Sequence, residues 1–349
     1  MESREAWSAK CLFKEETAVA LAFTAFIAGA LVSLATSWIL VTRLERVGQR
    51  FGLSEALLGV VAALAADAPE ITAAISALSR HQRALGTGVV IGSNVFNLAA
   101  LLGLGAVVSG FIALHRRVVV LGGFVAIWTA ICCVATVTGL IAAPVGLALT
   151  SVVLMCYLMV LGLNRSALRR LPAPRLLISW ISSAVTEEEL ELETAIRPAR
   201  GRLIDAIVAV GALVIVVLSS IAMEWGASKL GHHFHVAEAV TGGIVLAAVT
   251  SLPNAVAAVH LASSGRGAAA FSTALTSNNL NVIAGLLIPG AVIGLASPSV
   301  AGNLTAVAYL VVTALVLVPA YANSGLNRRS GWAVIFGYVV FVSWLLAVT

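Results

Sequence analysis

Carboxylates, amides and hydroxyls recur at matched positions inside otherwise apolar stretches of this chain. Ala66-Asp67-Ala68-Pro69-Glu70 is followed by Gly92-Ser93-Asn94-Val95-Phe96-Asn97. At a constant offset of 184 residues, Thr250-Ser251-Leu252-Pro253-Asn254 is followed by Thr276-Ser277-Asn278-Asn279-Leu280-Asn281. Pro69 thus corresponds to Pro253, Glu70 to Asn254, Ser93 to Ser277 and Asn97 to Asn281. Polar groups and prolines are costly in hydrocarbon, so a duplicated set points to one shared site. Oxygen donors of this kind suit hard cations such as Ca²⁺ or Na⁺. The sulfur and imidazole ligands favoured by softer metals are missing from both motifs.

The spacing says how helices would present these donors. Asp67 and Glu70 are three apart and share a helical face; Ser93 and Asn97, like Ser277 and Asn281, are four apart and do the same. Pro69 has no N–H and disturbs the preceding turn, which frees carbonyl oxygens near mid-membrane. Thr250, Ser251, Pro253 and Asn254 repeat the arrangement.

The elements that carry the motifs must be membrane helices. The chain is 60% hydrophobic and 11% charged, which no water-soluble domain of 349 residues could bury. At about 20 apolar residues per crossing, ten spans are expected. They lie at roughly 18–42, 54–79, 86–110, 117–139, 141–163, 203–223, 237–260, 269–291, 298–323 and 331–349. The expectation is an all-α membrane protein with three parts: residues 1–163 with five spans, a polar connector at 164–202, and residues 203–349 with five more. The connector, with its acidic run Glu187-Glu188-Glu189 and bulky Leu176 to Trp180, is too short for a core of its own and reads as a solvated loop with a short interfacial helix.

Fifteen basic residues fall in links after odd-numbered spans. The other side has six: Arg4, Lys10, Lys14, Arg80, Arg83 and Lys229. The positive-inside rule puts the fifteen, and with them the connector, in the cytoplasm and both termini outside. Five spans per half then make the second half enter the membrane in the opposite sense, an inverted repeat. The net charge of +5 therefore reports orientation, and no nucleic-acid partner is expected. Cys11, Cys132, Cys133 and Cys156 form no disulfide or zinc pattern. Met1 to Glu16 lacks the build of a signal peptide.

The two motif blocks resemble the α-repeats of the cation/Ca²⁺ antiporter superfamily, the sodium/calcium exchanger group. Those repeats run approximately Gly-Thr-Ser-Leu-Pro-Glu, then Gly-Ser-Asn-Ile-Phe-Asn; Thr250 to Pro253 and Gly92 to Asn97 carry most of each element. The resemblance implies a ten-helix fold of two inverted five-helix repeats. It implies secondary active antiport of Ca²⁺ or a related cation against Na⁺ or H⁺, by alternating access across a plasma membrane. No cofactor is implied, the partners are lipid and inorganic cations, and the oligomeric state is left open. Glu70 matches the ion-binding glutamate of the first repeat, and Asn254 stands where the second repeat has its partner. Asn97 and Asn281 match the residues that close each Ser-Asn element. Ser93, Ser277, Thr250 and Ser251 match the hydroxyl and carbonyl ligands. Metal coordination is thus expected from Glu70, Asp67, Asn97, Asn254 and Asn281.

The chain departs from that pattern at telling places. Asn254 and Asn281 leave the second repeat without an acid, and Ala66-Asp67 stands where Thr-Ser is usual. If Asp67 faces the site it supplies a second charge and Ca²⁺ fits; if it faces away, a monovalent ion or a proton-coupled cycle gains ground. The alternative function is therefore transport of a monovalent cation or other solute, with Ca²⁺ binding lost. A membrane enzyme would need a nucleophile with a base, or a metal triad at matching depth, and the chain offers neither. Asn94 and Asn278 read as caps or interhelical glue. His232, His233 and His235 read as a polar outer link, Asp205, Glu55 and Glu238 as solvated span ends, and Gly103, Gly105, Gly122 and Gly123 as sites of close helix approach.

Overall fold

The computed structural model describes residues 2–51, 55–162, 179–183, 201–263 and 267–349. Most of the connector, with its acidic run, and Arg266 lie outside the described residues; residues 179–183 form a short helical turn. The first half contains α1 (Glu2–Arg50), α2 (Glu55–Ala66), α3 (Ala68–Ser79), α4 (Arg83–Asn97), a π-helical segment (Leu98–Leu104), α5 (Gly105–Ser109), β1 (Phe111–Ala113), α6 (Arg116–Val137) and α7 (Ala143–Gly162). The second contains α8 (Leu203–His233), α9 (Glu238–Val240), a π segment (Thr241–Leu246), α10 (Ala247–Ser263), α11 (Gly267–Leu280), a third π segment (Asn281–Leu287), α12 (Ile288–Ile293), α13 (Val300–Ala322), β2 (Gly325–Asn327) and α14 (Arg328–Val348).

Among the described residues, eight helical stretches are long and apolar enough to cross a membrane. A ninth arises if α2 and α3, bent by 51° at Asp67, are taken as one. Large apolar side chains such as Phe23, Leu31, Trp38, Ile207, Val214 and Leu218 are exposed along α1 and α8. Such faces are stable in lipid and not in water. The chain is an integral, multi-pass membrane protein.

The interior is built around α4, in which every residue from Leu85 to Val95 is buried. A helix enclosed on all sides must be apolar or small all round, and Gly88 and Gly92 meet that demand against the Thr241–Leu246 segment. A Cβ on Gly92 would overlap the Gly243 carbonyl oxygen, and one on Gly88 would come within 2.9 Å of the Gly243 nitrogen. Gly92→Ala should therefore spread the seam between the halves and cost about 1–3 kcal/mol of stability, read as a lowered unfolding temperature in detergent.

Polar contacts sort the links into two ends. At one end β1 pairs antiparallel with β2, Ile112 opposite Leu326; Arg46 O accepts from Gly201 N at 2.9 Å, and Arg43 meets Asp205 at 2.6 Å. At the other, Arg83 donates to Leu295 O at 3.0 Å, Gln82 bonds Ser228, and His233 lies 3.7 Å from Glu15. The α1 and α8 helices run antiparallel between these ends, joined midway by Ser33 and Ser220 at 2.9 Å.

Several boundaries differ from the sequence reading. The second span is broken at Asp67. The first reaches Arg50 and the sixth continues ten residues beyond Met223 to His233. His232 and His233 consequently belong to α8, leaving only His235 in the link. Apolar run length ended the sixth span too early, because Glu224, Ser228 and His232 lower hydropathy yet have partners that let the helix continue. Asp205 is also not a solvated span end. It is 4% exposed because the extended α1 brings Arg43 and Arg46 against it.

Candidate functional site

Pro69 creates the geometry at the centre. It occupies the second position of α3 and has no N–H for the carbonyl of Ala65, four residues back. That carbonyl instead receives a long contact, 3.4 Å, from the Ser37 hydroxyl of α1. The bend leaves Asp67 at the N-cap of α3 and Glu70 in its first turn, where helix dipoles favour negative charge. The Asp67 side chain makes no capping bond; it projects across the seam.

Both carboxylates are fully buried and each is held by the opposite half. Asp67 Oδ1 accepts from Ser277 Oγ at 2.6 Å and from Asn254 Nδ2 at 3.0 Å. Glu70 Oε1 accepts from Ser251 Oγ at 2.7 Å. With the offset of 184, Glu70 corresponds to Asn254 and Asp67 to Ser251. The Glu70–Ser251 and Asn254–Asp67 bonds are therefore the same contact made twice, once from each half.

The asparagines beside the serines repeat this reciprocity. Asn94 Nδ2 donates to Asn278 O and Asn278 Nδ2 to Asn94 O, both at 3.0 Å. Asn97 Nδ2 donates to Asn278 Oδ1 at 3.2 Å, and Asn281 Nδ2 to Asn94 Oδ1 at 3.3 Å. Equivalent residues that bond each other mutually lie about a local two-fold axis. Asn94 and Asn278 act here as interhelical glue. Their tethering turns the amide nitrogens of Asn97 and Asn281 away and leaves the carbonyl oxygens free. Asn278→Ala should leave the buried Asn97 amide without its acceptor, at about 1–3 kcal/mol, and take one of two donors from the Asn94 carbonyl, which keeps Leu98 N. Both the unfolding temperature and cation affinity should fall, measurable on one purified sample.

Several oxygens of the motif residues are buried without partners. Asp67 Oδ2, Glu70 Oε2, Ser93 Oγ, Asn97 Oδ1 and Asn281 Oδ1 are all buried without a hydrogen bond among the described residues. Such groups are expensive unless something else satisfies them. All are oxygens able to accept, two of them on carboxylates, which fits a hard cation. No cluster of three or more His, Cys, Asp or Glu side chains exists among the described residues. Of the expected ligands, Thr250 stands apart: its hydroxyl turns back to Leu246 O and Ala247 O of its own helix, at 2.9 and 3.3 Å.

Two features escaped the sequence reading. The π segments at 98–104 and 281–287 start at or just after Asn97 and Asn281. A π turn adds a residue and re-phases the helix, and such turns concentrate at functional sites. Glu224 of α8 is also completely buried. The four-residue spacing of Ser220, Glu224, Ser228 and His232 could have shown that it lies on one polar stripe of a long helix.

Comparison with known proteins agrees with this architecture. The family model described as sodium/calcium exchanger protein matches residues 21–185 and 205–347. The crystal structure of an H⁺/Ca²⁺ exchanger, CAX, superimposes with a TM-score of 0.69 at 12% identity, covering 93% of this chain and 86% of that one. The sodium-calcium exchanger NCX_Mj superimposes at 0.57 with 18% identity, covering 93% and 99%. At these identities the likeness is one of fold. A candidate antiporter from Alkalimonas amylolytica, CaxA, is 32% identical over 84 residues, which is 24% of this chain and 26% of that relative's length. Since the family match runs through both halves and both motif blocks, the chain belongs to the sodium/calcium exchanger family of membrane cation antiporters.

Proposed function

We propose that the protein exchanges Ca²⁺, or a closely related hard cation, for Na⁺ or H⁺ by alternating access, as a transporter without enzymatic chemistry. The reading rests on one observation: five oxygens of the two motif blocks are buried with no hydrogen-bond partner among the described residues, and two of them belong to carboxylates. Both carboxylates sit on the first half, yet each is held from the second half by Ser251, Asn254 or Ser277. A divalent ion in a dry site needs about two compensating charges; with Asp67 turned inward the site carries them.

In this reading Glu70, Asp67, Asn97, Asn254 and Asn281 contribute metal ligands. Ser93, Ser251 and Ser277 complete the shell, and Thr250 contributes through its backbone carbonyl. Ten crossings form two inverted sets of five, residues 1–163 and 203–349, joined by the 164–202 connector. The arginine-rich end faces the cytoplasm, and both termini lie outside a plasma membrane.

The test is ion flux into vesicles of purified protein, with Na⁺ and pH gradients imposed separately. Ca²⁺ uptake driven by one gradient, and lost when that gradient is collapsed, is the expected result and also names the counter-ion. If neither gradient moves Ca²⁺ but Na⁺ or K⁺ moves, the site is monovalent. If no cation moves, the transport reading fails.

A further inference from the structure

Glu224 belongs to no part of the central site, yet it is an acid buried in the middle of the molecule. Its side chain is 0% exposed. Oε2 accepts from Ser76 Oγ at 2.7 Å and lies 3.4 Å from Arg80 Nη1. Oε1 is buried with no hydrogen-bond partner among the described residues. Ser76 and Arg80 follow Glu70 along the same run of chain. At 1.5 Å per residue, Ser76 lies about 9 Å from Glu70 along the axis, toward the end where Gln82 and His232 meet.

The partners form a ladder. On one face of α8, Ser220, Glu224, Ser228 and His232 are spaced by four, and each faces a polar group. Ser220 meets Ser33 at 2.9 Å, and Glu224 meets Ser76 and Arg80. Ser228 accepts from Gln82 at 2.5 Å, and His232 lies 3.5 Å from the same amide. The ladder runs from an exposed histidine inward along α8. Its hold on Glu224 is partial. Arg80 approaches through one nitrogen instead of the two-pronged fork that makes strong arginine pairs, and its side chain is 39% exposed. Such a guanidinium can return to water at little cost.

We propose that Glu224 is a second cation station, lying on the path between the Asp67–Glu70 site and the end marked by Gln82 and His232. This rests on the transport reading above. An arriving hard cation would displace Arg80, bind the freed Oε2 with the unpartnered Oε1, and keep the Ser76 hydroxyl as a neutral ligand. A carboxylate part-way along lets the ion shed its hydration in stages, and several weak sites in series favour passage over trapping.

The experiment compares wild type, Glu224→Gln and Arg80→Gln, with Glu70→Gln as reference. Equilibrium Ca²⁺ binding is measured in detergent, and apparent KM for Ca²⁺ is measured in vesicles sorted by orientation. Glu224→Gln is expected to leave equilibrium affinity at the central site unchanged. It should raise KM about tenfold on the Gln82–His232 face and leave KM on the opposite face as in wild type. Arg80→Gln should lower KM on that same face. A purely structural role would shift stability or both faces together, so equal changes at the two faces, or none, overturn the proposal. Should Glu224→Gln not fold, Arg80→Gln decides: a lowered one-sided KM supports the station, and an unchanged or raised one removes it. Wild-type flux in Glu70→Gln would instead sink the assignment of the central site, and no cation flux in wild type would sink the transport reading; both are distinct from the one-sided KM results.

Discussion

Glu70→Gln is expected to abolish Ca²⁺ exchange while leaving a folded protein. Glutamine has nearly the same shape and keeps an oxygen to accept from Ser251, which now lies 2.7 Å from Glu70 Oε1. Only the charge is lost. Removing one partner of a buried charge pair costs roughly 3–5 kcal/mol, equivalent to about a hundredfold or greater loss of affinity. Calorimetric Ca²⁺ titration beside thermal unfolding separates the two effects. The expected outcome is lost binding with an unfolding temperature close to wild type. Unchanged flux would mean the site is misassigned.

The second large effect concerns where the other charge sits. Asp67→Ser should weaken Ca²⁺ binding about as severely as Glu70→Gln. Adding Asn254→Glu to that variant should recover most of the loss. The reason is the duplicated contact: Ser251 donates to Glu70, and the equivalent positions 67 and 254 make the same contact with the roles of acid and neutral partner exchanged. In the double variant a hydroxyl at 67 would donate to a carboxylate at 254, reproducing the Glu70–Ser251 geometry about the local two-fold. Asn254→Glu alone should not help, because it crowds a third acid against Asp67 and Glu70 in a buried site, where like charges cannot all ionise. A double-mutant cycle on Ca²⁺ affinity measures the coupling. Additive losses, with no recovery, would show that Asp67 is not the displaced acid.

Much of the site was legible in the sequence because membranes punish polar residues. Asp67, Glu70, Ser93, Asn97, Ser251, Asn254, Ser277 and Asn281 stand out in apolar surroundings, and the constant offset ties them together. Helical periodicity put each pair on one face. Other features depended on contacts between distant segments. Thr250 shares the motif, but its hydroxyl is spent on its own helix, a choice of rotamer that spacing does not encode. Asp67 was undecided between facing the site and facing away. Its direction follows from the 51° break and from donors on helices nearly two hundred residues distant. Hydropathy placed Glu224 outside a span because it scores residues one at a time. Its burial is tolerated only through Ser76 and Arg80 on another helix.

From composition, hydropathy and repeated motifs alone came a helical membrane protein with a duplicated oxygen-donor set. These are properties of single residues and their neighbours in the chain, and lipid acts on them locally. Only the tertiary structure decided which oxygens remain unpaired, that the asparagines of the two halves hold each other, and that three π turns re-phase helices at the seam. Those outcomes depend on donors and acceptors meeting across the interface, and hydrogen-bond satisfaction in a buried site is settled by the whole fold.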